Sequence, residues 1–496
     1  MSTVQEVRSS TPADPHDVVV DQAVAGGVRR RSPVRTVLPV VLMAGVYLAV
    51  ARIASFPLHN YDTYFHLRFG HEFLTGQWSL RHPGSVSTFA TADWVPTQWL
   101  PQVVMAQVEE WFGLAGVAWL CGLLFLSLAM TVYWACRREA EPLVAVLLVF
   151  LTIAACTPGM SMRPQQVSYI LVTVTTAAWL QARRTGRAPW LLVPITWVWT
   201  MCHGMWPVGI AIGLVAVAGL ALDRKHPRGT LLRMLAVPVL SGVVSLLTPV
   251  GPGLFAAVLQ VNSRGKYFYE WGPPDFTRFY MVILLGILAL AVGPRLRRAE
   301  RVPWFDLALI GLAVLWAVYS LRTVPVSACM AAPLAAAALQ PSLGAPPRIR
   351  RTEVALVVGG WAVALAGLAL VVPHTADQPR ETASWVDATI GGLPPGTVVL
   401  DDSAYGGYLM WRFPQLDVVM HGYGDLYTDD ELARNADIDE VKSGWVGLVK
   451  EIHPDYAILE PRSTLAYNLR SVEGWTVVES GDDLELLAPP PGWYDS

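Results

Sequence analysis

Two residues that can exchange protons follow the first long apolar segment of the chain. Asp62 and His66 lie in the run Tyr-Asp-Thr-Tyr-Phe-His-Leu, four positions apart. A helix with this spacing places both side chains on one face. A carboxylate and an imidazole beside a bilayer are costly unless they pair or take part in chemistry. The spacing alone therefore leaves two interpretations open, an ion pair that fixes a helix end and an acid–base pair.

Other ionisable residues lie at the ends of later apolar segments. Arg163, His203 and Arg322 lie in short turns, and Glu270 and Asp275 lie in a longer loop. Taken singly, each has a structural explanation, such as a headgroup contact, a helix cap or a solvated loop charge. Taken together, ionisable residues at span ends usually face an interior cavity. Arginines there suit a phosphate group, and a carboxylate can take a proton from a hydroxyl.

The composition is that of a polytopic membrane protein. The chain has 496 residues, of which 53% are hydrophobic and 15% are charged. Its net charge of -3 argues against nucleic acid as a partner. The five cysteines show no Cys-x-x-Cys spacing, so neither a disulfide framework nor a zinc ribbon is indicated.

Apolar segments long enough to approach the thickness of a bilayer recur along most of the chain and predict about eleven spans. They cover residues 36–56, 114–135, 142–157, 165–182, 189–205, 207–222, 231–248, 278–292, 303–321, 323–340 and 353–373.

Basic clusters predict the orientation of these spans. If the count of spans is right, every cluster falls on one side of the membrane, which is then the cytoplasmic side. The clusters lie at 29–35, 137–138, 183–187, 224–228, 295–301 and 348–351. The sequence therefore predicts a plasma-membrane protein with its N-terminus in the cytoplasm and its C-terminal part outside.

Three domains are expected from the changes in composition. Residues 1–35 are typical of a disordered cytoplasmic tail. Residues 36–373 form a membrane module with large outer loops at 57–113 and 249–277. Residues 374–496 are polar and predict a small soluble α/β domain outside the membrane.

Finer patterns predict elements in the first outer loop and in the C-terminal domain. The apolar period at 98–112 predicts an amphipathic helix on the membrane surface. In the C-terminal domain, four short runs rich in β-branched, aromatic or aliphatic residues predict strands, and two longer segments predict helices. The predicted strands are 397–400, 418–420, 456–459 and 475–479, and the predicted helices are 429–436 and 441–452.

Two loops of the C-terminal domain follow predicted strands and carry glycines. One contains Tyr405 before the pair Gly406-Gly407, and the other contains Asp425. Paired glycines allow a tight turn or a close approach of the backbone to a ligand. Turn glycines beside solvated acids are the structural alternative. If the loops are functional, we expect them to bind the acceptor or to cap the membrane cavity.

An ordered series of short motifs runs through residues 36–480. The series comprises Asp62-Thr-Tyr-Phe-His66-Leu, Gln98-Trp99-Leu100, Arg163-Pro164-Gln165, His203-Gly204, Pro249-Val-Gly251, Glu270-Trp271-Gly-Pro-Pro-Asp275-Phe276 and Gly406-Gly407-Tyr408-Leu-Met-Trp411-Arg412. In this order the motifs resemble an uncharacterised bacterial branch of the GT-C membrane glycosyltransferases, the superfamily that includes the protein O-mannosyltransferases.

This resemblance implies an enzyme that transfers a sugar from a polyprenyl-phosphate donor, on the outer face and usually with inversion. The acceptor would be a glycan, lipid or protein of the cell envelope. Asp62 matches the acidic residue of the first outer loop, the general base, and His66 would orient or tune it. Arg163 and Arg322 would bind the donor phosphate. The expected substrate-binding residues are Trp99, His203, Glu270, Asp275, Tyr405 and Asp425.

The sequence also departs from the family pattern. Thr97-Gln98 stands where a pair such as His-Glu often precedes Trp-Leu, and Thr248-Pro249-Val250-Gly251 stands where Asn-Pro-Tyr-Gly is usual. The missing carboxylate weakens any metal site, and we expect no cofactor and no metal. A divalent ion on Asp62, His66, His203 and Glu270 is the alternative.

Two other function classes remain open. A non-catalytic scaffold that binds a glycan or a partner fits the missing carboxylate at position 98. A transporter of lipid-linked sugars fits less well, because the predicted spans are almost free of charge at mid-membrane. Convergence of Asp62, Arg163 and Arg322 on one cavity would favour the enzyme over the scaffold.

Overall fold

The computed structural model describes residues 33–298, 301–344, 348–379, 385–402 and 405–495. The tail predicted at 1–35 therefore lies, except for its last three residues, outside the described residues.

Thirteen α-helices form the first part of the described chain. They are α1 (Pro33–Ala54), α2 (Asp62–Leu74), α3 (Trp99–Arg137), α4 (Pro142–Ala155), α5 (Gln165–Thr185), α6 (Leu192–Cys202), α7 (Trp206–Asp223), α8 (Arg228–Ser245), α9 (Gly253–Arg264), α10 (Phe279–Leu296), α11 (Trp304–Tyr319), α12 (Val324–Leu339) and α13 (Arg351–Thr375). All except α2 and α9 correspond to predicted apolar segments.

Most of these helices have the composition of membrane spans. Within the described residues, seven are long and apolar enough to cross a membrane, namely α1, α3, α7, α8, α10, α12 with its flanking turns, and α13. The apolar helices α4, α6 and α11 are shorter. The predicted class, a polytopic helical membrane module followed by a small α/β domain, is confirmed.

The helix α3 is broken at Gly113, between the predicted surface helix and the predicted span. Gly113 has φ 64° and ψ -166°, a conformation that is essentially restricted to glycine. A Cβ atom there would lie 2.9 Å from Oδ1 of Asp377. Just before the break, Trp111 and Phe112 are 66% and 65% exposed, as expected for residues at a membrane surface.

The C-terminal domain is built on a five-stranded mixed sheet with the order β2-β1-β3-β5-β4. The strands are β1 (Val398–Asp401), β2 (Asp417–Val418), β3 (Tyr456–Leu459), β4 (Thr476–Ser480) and β5 (Glu485–Ala488). β1 pairs in parallel with β2 and β3, whereas β5 pairs antiparallel with β3 and β4. The central strands are buried, and the edge strand β4 is largely exposed.

Four α-helices of the described residues accompany this sheet. They are α14 (Gly406–Arg412), α15 (Asp429–Asp439), α16 (Trp445–Ile452) and α17 (Thr464–Ser471). Of the two possibilities considered for Gly406-Gly407, the tight turn does not form, because both glycines begin α14. A close approach of the backbone does occur, but to the protein itself. A Cβ atom on Gly406 would lie 1.8 Å from the carbonyl oxygen of Met420, and one on Gly407 would lie 2.8 Å from that of Tyr61.

Aromatic rings join the C-terminal domain to α2 and the turn before it. Tyr61 packs edge-on against Tyr405 with ring centroids 5.1 Å apart, and Phe65 packs against Tyr423 at the same separation. The loop after α2 adds a hydrogen bond, in which the backbone N–H of Ala92 donates to the carbonyl of Leu426 at 2.9 Å. These contacts hold the loop after β2 directly over the N-terminal end of α2.

Candidate active site

Seven of the ten predicted site residues line a single cavity of about 430 Å³ at one end of the helical module. They are Asp62, His66, Arg163, His203, Glu270, Arg322 and Asp425. The cavity volume lies within the range of sites for small molecules. Because these residues come from α2 and from five separate connections of the chain, the cavity forms only when the helices and the C-terminal domain pack together.

Short local contacts fix the first turn of α2 beside the turn before α5. The side chain of Asn60 accepts a hydrogen bond from the backbone N–H of Asp62 at 2.9 Å. The hydroxyl of Thr63 donates to the carbonyl of Met162 at 2.9 Å. Asp62 is thereby placed next to Arg163.

Arg163 is buried and joins two carboxylates through one nitrogen. Its Nη1 atom donates to Oδ2 of Asp62 at 2.8 Å and to Oε2 of Glu270 at 3.1 Å. Its Nε atom donates to the hydroxyl of Ser161 at 2.9 Å. The Arg163 side chain is only 7% exposed, but those of Asp62 and Glu270 are 35% and 37% exposed and line the cavity.

Arg322 approaches Glu270 from the other side. Its Nε atom lies 3.7 Å from Oε2 of Glu270, and its guanidinium carbon lies 5.1 Å from the ring centroid of Trp271. That buried Nε atom has no hydrogen-bond partner among the described residues. The carboxylate of Glu270 therefore lies between two guanidinium groups.

The surroundings of Asp62 and His66 shift their pKa values in opposite directions, and both shifts favour the uncharged form. Burial raises the pKa of Asp62, and the negative charge of Glu270 adds to this, while Arg163 opposes it. Burial lowers the pKa of His66 well below its usual value, and Arg163 and His203 act in the same direction. His66 is therefore a neutral imidazole at neutral pH.

Among the residues that the structure describes, Asp62 and His66 do not form the ion pair that their spacing allows. Asp62 pairs with Arg163, whereas Nδ1 of His66 lies 3.0 Å from Nε2 of Gln102. With Gln102 donating to Nδ1, the proton of the neutral imidazole is on Nε2.

The remaining two of the seven cavity residues are His203, which has a polar contact, and Asp425, whose pKa is shifted. The hydroxyl of Ser168 lies 3.1 Å from Nδ1 of His203. Burial raises the pKa of Asp425 to about 6, although Arg264 opposes the shift.

Three predicted site residues are not brought to this cavity. Trp99 begins α3 and does not line it. Asp275 accepts a hydrogen bond from the backbone N–H of Thr277 at 2.9 Å and stabilises an exposed turn before α10. Tyr405 is buried between α14 and α2, against the rings of Tyr61 and Tyr408.

Sequence reasoning missed a third arginine in the cavity. Arg264 is 6% exposed, and its Nε atom donates to Oδ1 of Asp429 at 2.8 Å. Its Nη1 atom donates to the carbonyl of Gly424 at 3.2 Å. One sequence signal could have indicated it, since basic residues are scarce on the predicted outer side.

A metal centre is not formed by the residues that the structure describes. Among them, no group of three or more His, Cys, Asp or Glu side chains is arranged to hold a metal ion. The cationic side chains of Arg163, Arg264 and Arg322 line the cavity instead.

No protein-family model matches the chain, and no curated protein matches it. Solved structures do match. Crystal structures of two proteins are similar over most of the chain. The apo structure of ArnT from Cupriavidus metallidurans has a TM-score of 0.51 and 18% identity, with 92% of this chain and 98% of that chain covered. The apo oligosaccharyltransferase of Archaeoglobus fulgidus has a TM-score of 0.50 and 11% identity, with 84% of this chain and 69% of that chain covered.

Both matched proteins have the GT-C fold, the fold of a superfamily of membrane glycosyltransferases. The chain described here therefore has the GT-C fold and is a multi-pass membrane protein. The resemblance inferred from its motifs is confirmed at this level. The nearer relation to protein O-mannosyltransferases stays a prediction.

Proposed function

We propose that the chain is a membrane glycosyltransferase that moves a sugar from a polyprenyl-phosphate donor to a hydroxyl-bearing acceptor on the outer face of the membrane. The observation that carries this proposal is the convergence of Asp62, Arg163 and Arg322 on one cavity. Convergence supports catalysis over a non-catalytic scaffold, because a scaffold has no need to gather a carboxylate and arginines in one small space.

Asp62 is the proposed general base. It would take the proton of the acceptor hydroxyl while the hydroxyl oxygen attacks the anomeric carbon of the donor sugar. The bond from that carbon to the phosphate oxygen breaks at the same time, and the electron pair leaves with the polyprenyl phosphate. Burial supports this role, since a raised pKa makes the carboxylate a stronger base.

Arg163 and Arg322 are the proposed phosphate-binding residues. Guanidinium groups bind phosphate oxygens in pairs and neutralise the charge that grows on a leaving phosphate. One phosphate needs no metal ion for this purpose. A second crystal structure of ArnT from Cupriavidus metallidurans shows that protein bound to undecaprenyl phosphate, and we propose a donor carrier of the same chemical class here.

For the same reaction we propose the remaining predicted roles, which are contacts with substrate. His203, Glu270 and Asp425 line the cavity and would contact substrate. Trp99, Asp275 and Tyr405 do not line it, and a contact with substrate would require a part of the acceptor that extends beyond the cavity. The oligosaccharyltransferase of Archaeoglobus fulgidus has been crystallised with a tethered acceptor peptide. A protein acceptor is thus one candidate beside a glycan or a lipid.

We also propose the orientation and domains predicted from the sequence. Residues 1–35 would lie in the cytoplasm, the cavity would open outside, and residues 374–496 would cover it from outside. The basic clusters at the opposite helix ends support this orientation.

The test compares a strain that lacks the protein with strains complemented by wild type, Asp62→Asn or Asp275→Asn. Mass spectrometry of lipid extracts measures each polyprenyl-phosphate sugar, with expression levels matched. We expect Asp62→Asn to accumulate one donor lipid and to lose one surface glycan, and we expect Asp275→Asn to behave as wild type. General-base catalysis contributes about 10²- to 10⁴-fold, so the asparagine variant should retain about 1% activity or less.

Identical lipids and glycans in the wild-type and Asp62→Asn strains would reject Asp62 as the base. The scaffold would then become the better explanation. Equal defects in Asp62→Asn and Asp275→Asn would also count against the proposal, because only Asp62 lies in the cavity.

A further inference from the structure

A second large groove lies at the end of the helical module opposite the active-site cavity. It has a volume of about 590 Å³ and runs between α1 and α13, with the last turns of α3 at its base. Neither the proposed transfer reaction nor the motifs of the sequence involve it.

The groove has an apolar wall that continues onto the outer surface of the helices. Val40 on α1 and Leu356 and Val363 on α13 line it and are 39%, 54% and 72% exposed. Small residues keep it open, and a Cβ atom on Gly359 would have no neighbouring atom within 4 Å. From residue 351 to residue 363 the wall of α13 is about 18 Å long at 1.5 Å per residue.

One end of the groove is basic. Arg348 and Arg350 line it just before α13 and are exposed. The glutamate closest to them in sequence, Glu353, is already bound by Arg137, which donates to its two oxygens at 2.5 Å and 3.0 Å. With Glu141, the lining has three arginines and two glutamates. The excess positive charge therefore lies on the two exposed arginines.

We propose that this groove binds one anionic phospholipid of the membrane leaflet on that side. The phosphate would lie at Arg348 and Arg350, and an acyl chain would lie along the wall formed by α1 and α13. Basic pockets between membrane helices are suited to acidic headgroups, and the apolar wall gains from contact with a chain. The segment before α1 is a poorer occupant, because residues 29–31 are all arginine and would be repelled by the basic end.

The test is native mass spectrometry of the purified full chain, with phosphatidylglycerol or phosphatidylcholine added at matched concentrations. We expect wild type to bind phosphatidylglycerol about 10-fold or more tightly than phosphatidylcholine. Removing two surface charges with Arg348→Gln and Arg350→Gln should weaken phosphatidylglycerol binding about 10- to 30-fold. The control is Arg228→Gln with Arg233→Gln on α8, which removes two exposed arginines outside the groove and should have no effect.

The acyl-chain part of the site is tested separately. Gly359→Leu would fill the groove and should weaken the binding of both phospholipids. Gly367→Leu is the matched control, because it also has open space around it on α13 but does not line the groove. Inorganic phosphate at millimolar concentration should not displace the lipid, since it lacks the chain.

Several results would overturn the proposal. Equal affinity for the two phospholipids, equal losses in the groove and control variants, or displacement by inorganic phosphate alone would each do so. Binding that appears only after deletion of residues 2–31 would instead identify the N-terminal segment as the occupant. None of these results depends on whether the chain transfers a sugar.

Discussion

The two ends of the helical module both bury arginines against carboxylates, but they hold them differently. At the end with the basic clusters, Asp306 is 4% exposed and accepts hydrogen bonds from Arg295 at 3.0 Å and Arg183 at 2.7 Å. At the cavity end, Asp62 and Glu270 are each more than a third exposed and share one nitrogen of Arg163.

This difference separates a structural ion cluster from a site that can exchange partners. The carboxylate of Asp306 has two arginines and no access to a ligand. In the cavity the ratio of arginines to carboxylates is reversed, because the single Arg163 binds two carboxylates. The Nε atom of Arg322 lies 3.7 Å from Oε2 of Glu270. A phosphate that entered between these arginines would replace a carboxylate rather than create a new buried charge.

The largest effect should follow from breaking the structural cluster. Asp306→Asn leaves Arg295 buried without its carboxylate, and losing one partner of a buried pair costs about 3–5 kcal/mol of stability. We expect a correspondingly lower thermal unfolding midpoint in detergent, whereas Asp62→Asn should change it little. The measurement is thermal unfolding followed by intrinsic tryptophan fluorescence.

A double variant checks the cause of that loss. Arg295→Met with Asp306→Leu removes both charges, so it should be more stable than Asp306→Asn alone. If the double variant is the less stable of the two, the cluster contributes more than charge compensation and the contrast between the two ends is weaker than proposed.

A smaller effect is expected at the cavity end. Glu270→Gln removes the negative charge between Arg163 and Arg322, so a phosphate no longer competes with a carboxylate. We expect the affinity for a short-chain polyprenyl phosphate to rise about 3- to 10-fold, because Glu270 forms two partly exposed ion pairs, with Arg163 and Arg322, and each contributes about 1 kcal/mol or less. Binding is measured by isothermal titration calorimetry in detergent.

Glu139→Gln is the control for this change, since Glu139 pairs with Arg184 at the opposite end and lines neither the cavity nor the groove. It should lower stability without changing the affinity for the donor lipid. An unchanged or weaker affinity in Glu270→Gln would mean that Glu270 does not compete with the donor phosphate for the two arginines.

The fold was largely predictable because it depends on local patterns. Apolar runs predicted the helices, and the change of period near Gly113 predicted where α3 breaks. The prediction was wrong where packing overrides propensity. Two glycines are poor helix formers, yet Gly406 and Gly407 begin α14 because only they allow its close contact with neighbouring backbone. The helix predicted at 441–452 begins only at Trp445, because Val441 and Gly444 have positive φ angles.

The site was predictable only in part, for a physical reason. Ionisable residues at the ends of several apolar segments are unusual when taken together, and this pointed to Asp62, Arg163 and Arg322. Arg264 was missed because it has a partner only after the C-terminal domain packs on α9 and presents Asp429 and Gly424. Likewise, no local pattern distinguishes Asp275 in its turn from Asp425 in the cavity.

The smallest of these effects is expected at Asp425. This residue adds a third kind of carboxylate to the comparison. Arg264, its cationic neighbour, donates its Nε–H to Asp429, and burial raises the pKa of Asp425 from 3.8 to about 6. Between about pH 4 and pH 6 the folded protein therefore holds a proton that the unfolded chain has lost. Acidification through this window favours the folded state, and a rise in pH removes that gain.

Asp425→Asn should thus be more stable than wild type at pH 7.5, by about 1 kcal/mol, because the asparagine carries no charge to bury. The side chain is partly exposed to the cavity, so the full shift is not expected. The difference should disappear below about pH 4, where Asp425 is protonated in the folded and in the unfolded protein. Asp439, whose pKa is raised to about 7 by burial, titrates in both proteins, so its contribution cancels in the difference.

The difference is measured from the unfolding midpoints of both proteins across this pH range. The control is Asp482→Asn, at an exposed position. A constant difference at all pH values would mean that Asp425 stays ionised in the cavity across this range.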